Sequence, residues 1–250
     1  MTRRSRATDG WDVHRPHGPD PETVDVWRLD LSGDDAPPPA LLALLPQAER
    51  DAALAMAHPA RRCEHVGGRG LARAILGAAL GAPPSSVPLV AGAHGKPEVA
   101  LSAGATDLAF SIAHAAATVL VAVTRVAPVG VDVESPRPGL DWRRIARRYF
   151  TAAEQALLDA LPEHVAADAF LATWTRKEAV LKAHGGGIAA GLDTFEVAIG
   201  SRAEPAVTAI HRATLDGPWT LHDLPLGRPR RGAVAVRAPS ARLRLRRASL

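Results

Sequence analysis

The segment Gly130-Val131-Asp132-Val133-Glu134 alternates apolar and acidic side chains at successive positions. This period of two is typical of a β-strand, on which Asp132 and Glu134 point to one face and Val131 and Val133 to the other. Paired carboxylates suit hard cations such as Mg²⁺, which complete their coordination with water and substrate phosphates. A solvated strand face would carry the same pattern, since charged residues are mostly exposed. The segment alone leaves both interpretations open.

A second charged segment, Trp174-Thr175-Arg176-Lys177-Glu178-Ala179-Val180-Leu181-Lys182, follows some forty residues later. It lies in a predicted helix over Glu163–His184, where the four-residue spacing places Glu178 and Lys182 on one face. A carboxylate and an ammonium group are thus presented together. An ordinary surface ion pair, worth about 0.3 to 0.5 kcal/mol, has the same spacing.

Upstream, a predicted helix over residues 60–80 carries Arg61, His65 and Arg69 at four-residue intervals. Both guanidinium groups would face one side of this helix, where their planar donors suit a phosphate group. A solvated basic face is the alternative. The same stretch contains Gly67, Gly68 and Gly70, so either the helix breaks there or another element approaches it closely.

Hydrophobic periodicity outlines the remaining elements. Helices are predicted over residues 41–57, with an interruption at Pro46, over residues 142–150, and after the capping-box pattern from Thr151 to Glu154. A helix end is expected at Gly185. Strands are predicted over residues 25–31, 87–90, 99–101, 108–112, 118–126, 129–133, 195–199, 219–224 and 233–237.

The composition indicates a globular protein with a core of small aliphatic residues, because 47% of the chain is hydrophobic but only 4% is aromatic. The formal net charge of +4 favours anionic partners such as phosphates, nucleic acid or an acidic protein. Cys63 is the single cysteine, which excludes an internal disulfide and a cysteine zinc site. We therefore expect a reduced, cytoplasmic setting.

The two ends of the chain are basic and irregular in pattern. Residues 1–22 contain no apolar run that could serve as a signal peptide, and we expect a disordered N-terminal tail there. Residues 241–250 alternate leucine and arginine and are expected to form a basic C-terminal tail or an edge strand. The most apolar segment, residues 118–133, is interrupted by charges and shorter than the roughly 20 residues of a membrane helix.

Taken in order, the two charged segments resemble the signature pair of the two-domain 4′-phosphopantetheinyl transferases, the type that activates surfactin synthetase and related peptide and polyketide synthases. Residues 130–134 meet the pattern G-[VI]-D-[VI]-E. The second pattern, W-x-x-K-E-A-x-x-K, is met at Trp174, Lys177, Glu178, Ala179 and Lys182. Either pattern alone is weak, but their combination is specific.

Three further segments extend the resemblance over roughly residues 23–195. Arg61-Arg62-Cys63-Glu64-His65 followed by Gly68-Arg69 is similar to R-R-x-E-F and G-R, and His94-Gly95-Lys96-Pro97 contains the G-K-P turn. Phe110-Ser111-Ile112-Ala113-His114 matches F-N-I-S-H only in part, because serine replaces asparagine and alanine replaces serine. By resemblance, Lys96 lies near the nucleotide end of coenzyme A and His114 contacts a phosphate.

The resemblance implies an α+β fold of two similar α/β subdomains in a pseudo-two-fold arrangement, residues 23–126 and 127–240, with the active-site cleft between them. It implies transfer of the 4′-phosphopantetheine arm of coenzyme A to a serine of an apo acyl or peptidyl carrier protein, with Mg²⁺ bound and 3′,5′-ADP released. The enzyme would be a monomer that needs neither nucleic acid nor a membrane.

Roles for individual residues follow from the same resemblance. Asp132, Glu134 and Glu178 would hold the Mg²⁺, and Glu178 would take the serine proton directly or through a water. Lys182 would stabilise charge on the pyrophosphate, and Lys177 would assist it or contact the substrate. The nucleotide half of coenzyme A would be bound by a basic group of four residues, Arg61, Arg69, Lys96 and His114.

Two other functions use the same residues. A Mg²⁺-dependent hydrolase of coenzyme A or dinucleotides could employ the same carboxylates and cations, and it would release phosphopantetheine without a carrier protein. A basic nucleic-acid-binding module is the second alternative, but the chain has no zinc-finger spacing and only one Tyr and four Phe to stack on bases. A further basic group is predicted on one helix face, for an acidic carrier protein or for solvent: Arg143, Arg144, Arg147 and Arg148.

Overall fold

Two β-sheets, one of five strands and one of three, form the centre of the fold. They are seen in a computed structural model that describes residues 10–33, 36–92, 94–100, 107–187, 190–200 and 202–249. The five-stranded sheet has the order β1-β12-β2-β6-β5, and the three-stranded sheet has the order β10-β11-β7. Two hairpin-like pairs, β3-β4 and β8-β9, lie outside them.

The strands are β1 Asp12–His14, β2 Thr23–Asp30, β3 Leu89–Ala91, β4 Pro97–Val99, β5 Ala109–Ala115, β6 Thr118–Thr124, β7 Val129–Glu134, β8 Phe195–Val197, β9 Val207–Ile210, β10 Thr220–Asp223, β11 Arg231–Val236 and β12 Arg242–Ala248. The helices are α1 Pro39–Leu42, α2 Gln47–Leu54, α3 Pro59–Leu80, α4 Trp142–Tyr149, α5 Ala152–Asp159 and α6 Glu163–His184.

Helix α3 packs on one face of the five-stranded sheet. It runs unbroken through its glycines, because neighbouring elements approach them closely. A Cβ atom at Gly68 would lie 2.9 Å from Ile112, and one at Gly70 would lie 2.8 Å from Leu41. The second of the two predicted alternatives, a close approach, is therefore confirmed.

Helix α6 packs on the three-stranded sheet, and the contact is closest at Gly130 of β7. A Cβ atom at Gly130 would lie 2.0 Å from the Ala179 carbonyl oxygen, so only glycine fits between this strand and this helix. The alternation predicted for β7 is confirmed, since Val131 and Val133 are buried on the face opposite Gly130.

The two sheets pack face to face through a shared apolar layer. Val26 and Leu120 of the five-stranded sheet meet Val131 and Val234 of the three-stranded sheet in this layer. At the edge of β7, the Val131 N–H donates to Ser111 Oγ of β5 at 3.2 Å. The order of layers is thus α3, first sheet, second sheet, α6.

Both predicted tails contribute strands to the first sheet, so the prediction of a disordered N-terminal tail is wrong for residues 10–22. For residues 242–248 the predicted strand is confirmed, but it is an inner strand and not an edge strand. Strand β12 lies between β1 and β2 and is parallel to both, with Arg246 opposite Asp12 and Trp27. Trp11 of the expected N-terminal tail is fully buried. Residues 1–9 and Leu250 lie outside the described part of the chain.

The other elements follow the prediction closely. The helix over Glu163–His184, its end at Gly185 and the capping box of Thr151 and Glu154 are confirmed. Strand β9 was not predicted, and Leu101 of one predicted strand is outside the described residues. The mixed α+β class holds, whereas the two-subdomain division and its pseudo-two-fold symmetry stay predictions. Within the described residues, no helix is long and apolar enough to cross a membrane.

Candidate active site

A cleft follows the line where β5, β7, α3 and α6 meet, and it consists of three adjoining pockets of about 570, 480 and 330 Å³. The first pocket is lined by Arg61, His65, His114 and Glu134, among others. His65 and His114 also line the third pocket, which Gly95 and Ile112 connect to the second. The second pocket contains Glu178 and Lys182. Most side chains predicted from the sequence therefore lie along one continuous depression.

The acidic group of the cleft is built by β7 and α6. Lys182 Nζ donates to Asp132 Oδ1 at 2.6 Å, which links the helix to the strand. Asp132 Oδ2 and Glu178 Oε1 are buried and have no hydrogen-bond partner among the residues that the structure describes. Glu134 is half-buried and pairs with Arg137 at 3.1 Å. The predicted association of the two sequence segments is thus present in the structure.

Burial is the main factor that opposes the ionisation of these three carboxylates. Burial raises the pKa of Glu178 to about 7, with a further contribution from Asp132 and Glu134 that Lys182 partly offsets. The pKa values of Asp132 and Glu134 are also raised, in both cases chiefly by burial. Negative charge is therefore under-compensated at this point of the cleft, which favours a bound cation.

The donor set matches a hard cation in kind, because carboxylate oxygens are what Mg²⁺ prefers. The two buried oxygens without partners, Asp132 Oδ2 and Glu178 Oε1, are the atoms such an ion would satisfy. In the described part of the chain, no three His, Cys, Asp or Glu side chains are already gathered around a metal position. Lys182 supplies one positive charge next to Asp132, so it balances only part of the negative charge of the three carboxylates.

The basic side of the cleft is less uniform than the sequence predicts. Arg61 is exposed in the first pocket, and His114 lies between the first and third. Arg69 lines the third pocket but is paired with Glu49 of α2, which also pairs with the buried Arg73. The charge of Arg69 is therefore largely neutralised within the protein.

Lys96 is positioned by the turn between β3 and β4, where Gly95 adopts a left-handed conformation with φ of 79°. Its Nζ donates to the carbonyl oxygens of Lys182 at 2.7 Å and of Val129 at 3.0 Å. Burial lowers the Lys96 pKa to about 8. Lys96 therefore ties the turn to α6 and β7, and it lines the second pocket beside Glu178.

Lys177 does not lie in the cleft, so its predicted role in substrate contact is wrong. The side chain is fully buried, and its Nζ donates to the carbonyl oxygens of Leu192 at 2.7 Å and Phe195 at 2.6 Å. It also pairs with the buried Glu154 at 2.8 Å. Because all three donors of the ammonium are used, Lys177 holds α6 against α5 and β8.

Several cleft residues have no predicted role in the sequence. Arg137 lines the first pocket next to Glu134, and Glu64 lines it next to His114. Ser111, which replaces an asparagine of the family pattern, supports the backbone of β7 through Val131. The position of Ser111 within the F-N-I-S-H match is the only sequence signal that could have identified it, and the loop position of Arg137 offers none.

Comparisons with known proteins identify the family of this chain. The sequence profile of the 4′-phosphopantetheinyl transferase superfamily matches residues 128–236, which include Asp132, Glu134, Glu178 and Lys182. The 4′-phosphopantetheinyl transferase HetI of Nostoc sp. is 35% identical over 185 residues, 74% of this chain and 77% of its own length. AcpT of Salmonella typhi is 37% identical over 60% of this chain and 67% of its own length, and Sfp of Bacillus subtilis is 34% identical over 36% and 39%. Both are also named 4′-phosphopantetheinyl transferases.

Proposed function

The chain belongs to the 4′-phosphopantetheinyl transferase superfamily, and from this premise we propose that its cleft transfers the phosphopantetheine arm of coenzyme A to a serine of an apo carrier protein. The reaction forms a bond between the serine Oγ and the phosphorus attached to pantetheine. It breaks the pyrophosphate bond of coenzyme A and releases 3′,5′-ADP. The enzyme activity itself follows from the family.

The observation that carries the assignment of the site is the group formed by Asp132, Lys182 and Glu178. Two elements that are distant in sequence bring a carboxylate, an ammonium and a second carboxylate together at one edge of the cleft. A pyrophosphate needs cations at the transferring and leaving oxygens, and its attack by a hydroxyl needs a proton acceptor. Lys182 is such a cation, and Glu178 is such a proton acceptor.

Glu178 is the proton acceptor in this proposal. Burial raises the pKa of Glu178 to about 7 in the metal-free protein, and a bound Mg²⁺ would lower it, so the carboxylate is ionised and able to accept a proton at neutral pH. The serine proton passes to the Glu178 carboxylate as the serine oxygen attacks phosphorus. Lys182, one helical turn further on, stabilises the negative charge that develops on the pyrophosphate.

Asp132, Glu134 and Glu178 would hold the Mg²⁺ that the family resemblance implies. When bound, the ion supplies positive charge to the pyrophosphate oxygens. On the opposite side of the cleft, Arg61 and His114 bind the 3′-phosphate of coenzyme A. Lys96 borders the cleft and fixes the ends of β7 and α6, so its contribution to the nucleotide is secondary.

We also propose that residues 23–126 and 127–240 are the two subdomains, with β1 and β12 added to the first of them. The cleft between α3 and α6 then separates the two. We further propose a monomer and a reducing, cytoplasmic setting, and the setting is consistent with Cys63, which is buried and forms no disulfide.

The decisive experiment is incubation of the protein with coenzyme A, Mg²⁺ and an apo carrier protein, followed by measurement of the intact carrier mass. We expect the carrier to gain one phosphopantetheine on its serine, and we expect Asp132→Ala to abolish the gain while leaving the circular dichroism spectrum unchanged. Release of free phosphopantetheine with an unmodified carrier would identify a hydrolase instead. Normal transfer by Asp132→Ala at saturating Mg²⁺ would show that the site is wrongly placed.

A further inference from the structure

His114 lies at the junction of the first and third pockets, and its ring contacts Glu64 of α3. Glu64 Oε2 lies 3.1 Å from His114 Nδ1. The other carboxylate oxygen, Oε1, accepts the Ala117 N–H at 3.1 Å. Glu64 is only 14% exposed, whereas His114 is 40% exposed at the cleft. The carboxylate is thus the inner partner and the ring the outer one.

The negative charge of Glu64 is unexpected in a pocket that is proposed to bind a phosphate group. A carboxylate that lines the same pocket as Arg61 and His114 repels a phosphate ligand. On electrostatic grounds alone, removing it should strengthen the binding of coenzyme A. A use for Glu64 in binding must therefore outweigh this repulsion.

The hydrogen bond supplies such a use. An ionised carboxylate can only accept, so the bond to Glu64 requires the hydrogen of the imidazole to be on Nδ1. This fixes the ring plane and leaves Nε2 for a ligand, and in the protonated ring Nε2 is also a donor. Partners of this kind orient functional histidines in the same way that outer carboxylates orient metal-binding ones.

The second hydrogen bond stabilises the backbone next to His114. Ala116 and Ala117 form the turn between β5 and β6 with φ values of 48° and 61°. Left-handed conformations are disfavoured for alanine, so this turn requires support from its surroundings. The Glu64 carboxylate provides it at Ala117, three residues from the histidine.

We propose that Glu64 is a positioning residue, which orients His114 for the 3′-phosphate of coenzyme A. The proposal rests on the transferase function and on the assignment of His114 to that phosphate. Glu64 acts through the histidine and the β5–β6 turn, and it does not touch the reacting atoms.

The test uses Glu64→Gln, which keeps the length of the side chain and an oxygen for the Ala117 N–H but replaces the second acceptor with an amide donor. We expect this variant to melt within a few degrees of the parent and to bind coenzyme A about tenfold more weakly. The KM for coenzyme A should rise while kcat and the KM for the carrier protein stay nearly unchanged. The preference for coenzyme A over dephospho-coenzyme A should shrink by the same factor.

A double-mutant cycle with His114→Ala separates positioning from general structural support. If Glu64 acts through His114, adding Glu64→Gln to His114→Ala should weaken binding no further. Asp51→Asn, an exposed carboxylate on α2, serves as the matched control and should behave as the parent. Tighter binding by Glu64→Gln, or fully additive losses in the cycle, would overturn the proposal. Failure of the parent itself to bind coenzyme A would instead overturn the function on which it rests.

Discussion

At Glu178, the side chain that we propose as the proton acceptor is held in surroundings that oppose its charge. Burial and two neighbouring carboxylates raise its pKa from 4.5 to about 7. A carboxyl group whose pKa is higher in the folded than in the unfolded protein binds its proton more tightly in the folded state. The metal-free protein therefore loses stability as the pH rises from about 4.5 to 7, and the loss is complete above 7.

We therefore predict that Glu178→Gln stabilises the metal-free protein at pH 8 but not at pH 4.5. The amide has no charge to bury, and the expected gain in melting temperature at pH 8 is about 5 °C. The measurement is thermal unfolding in a chelator at both pH values, with the exposed Glu204→Gln as control. Equal melting temperatures of parent and variant at pH 8 would show that the charge of Glu178 does not destabilise the metal-free protein.

The 3′-phosphate gives a second prediction at this scale. Because Arg69 is paired with Glu49 and Lys96 with carbonyl oxygens, we expect Arg61 and His114 to supply most of the discrimination. The parent should bind dephospho-coenzyme A at least about tenfold more weakly than coenzyme A, since a charge-assisted contact is worth about 1.5 to 3 kcal/mol. In Arg61→Gln this difference should fall markedly. Calorimetric titration with both nucleotides is the measurement, and equal affinity of the parent for the two would contradict the assignment.

Lys177 and Lys182 show what could and could not be read from the sequence at the level of residues. The four-residue spacing correctly placed Glu178 with Lys182, because it depends only on the helix geometry. Lys177 precedes Glu178 by one position, and it therefore points to a different side of α6. Whether that side met solvent, cleft or core depended on α5 and β8, whose packing was not visible in the motif. The neutralisation of Arg69 by Glu49 was hidden for the same reason.

Among the elements, helix α4 is the one whose surface is most strongly charged. Arg144, Arg147 and Arg148 are exposed on it, whereas Arg143 pairs with Glu163 and lies over the Trp142 ring at 4.3 Å. Exposed guanidinium groups on a short helix that follows β7 suit an acidic partner, and a carrier protein is the expected one. The four-residue repeat predicted this face, but the pairing of Arg143 required the fold.

We predict that reversing two of these charges in Arg144→Glu/Arg148→Glu weakens productive encounter with the carrier protein. The apparent KM for the carrier should rise about tenfold at low salt, and the KM for coenzyme A should stay nearly unchanged. The effect should shrink as added salt shortens the Debye length, which is about 10 Å at 0.1 M. Saturation curves at low and moderate salt provide the measurement.

The matched control for this variant is Arg202→Glu/Arg212→Glu, which changes the net charge equally at two exposed arginines that do not line the cleft. It should leave both KM values close to those of the parent. If the two double variants raise the carrier KM equally, total charge is responsible and α4 is not the docking surface.

At the scale of the whole molecule, the first sheet joins segments from both ends of the sequence. Asp25 of β2 is fully buried, and Arg246 of β12 lies 3.3 Å from its Oδ2 and 3.0 Å from His14 of β1. Periodicity identified the individual strand β2, but strand order is a property of long-range pairing. The alternating leucines and arginines of residues 241–250 therefore predicted a tail or an edge strand, although one apolar and one polar face also suit an inner strand.

We predict that Arg246→Leu destabilises the protein by about 3 kcal/mol, because it leaves the buried Asp25 carboxylate without a cation. Restoring neutrality with Asp25→Asn in the same chain should recover a large part of the loss. Urea unfolding of the single and double variants is the measurement, and Arg242→Leu, an exposed position of the same strand, is the control. Loss in Arg246→Leu no greater than in Arg242→Leu would mean that the pair does not support the sheet.

The central position of β12 also has a consequence for biosynthesis. A ribosome releases β2, β5 and β6 long before residues 242–248 emerge, so during translation β2 has an unpaired edge on the side that β12 later fills. Parallel pairing between distant segments forms slowly, and an open strand edge invites contact with other chains. The first sheet therefore cannot be completed until β12 has been synthesised. We predict that nascent chains stalled before residue 242 depend on chaperones more than chains that include β12.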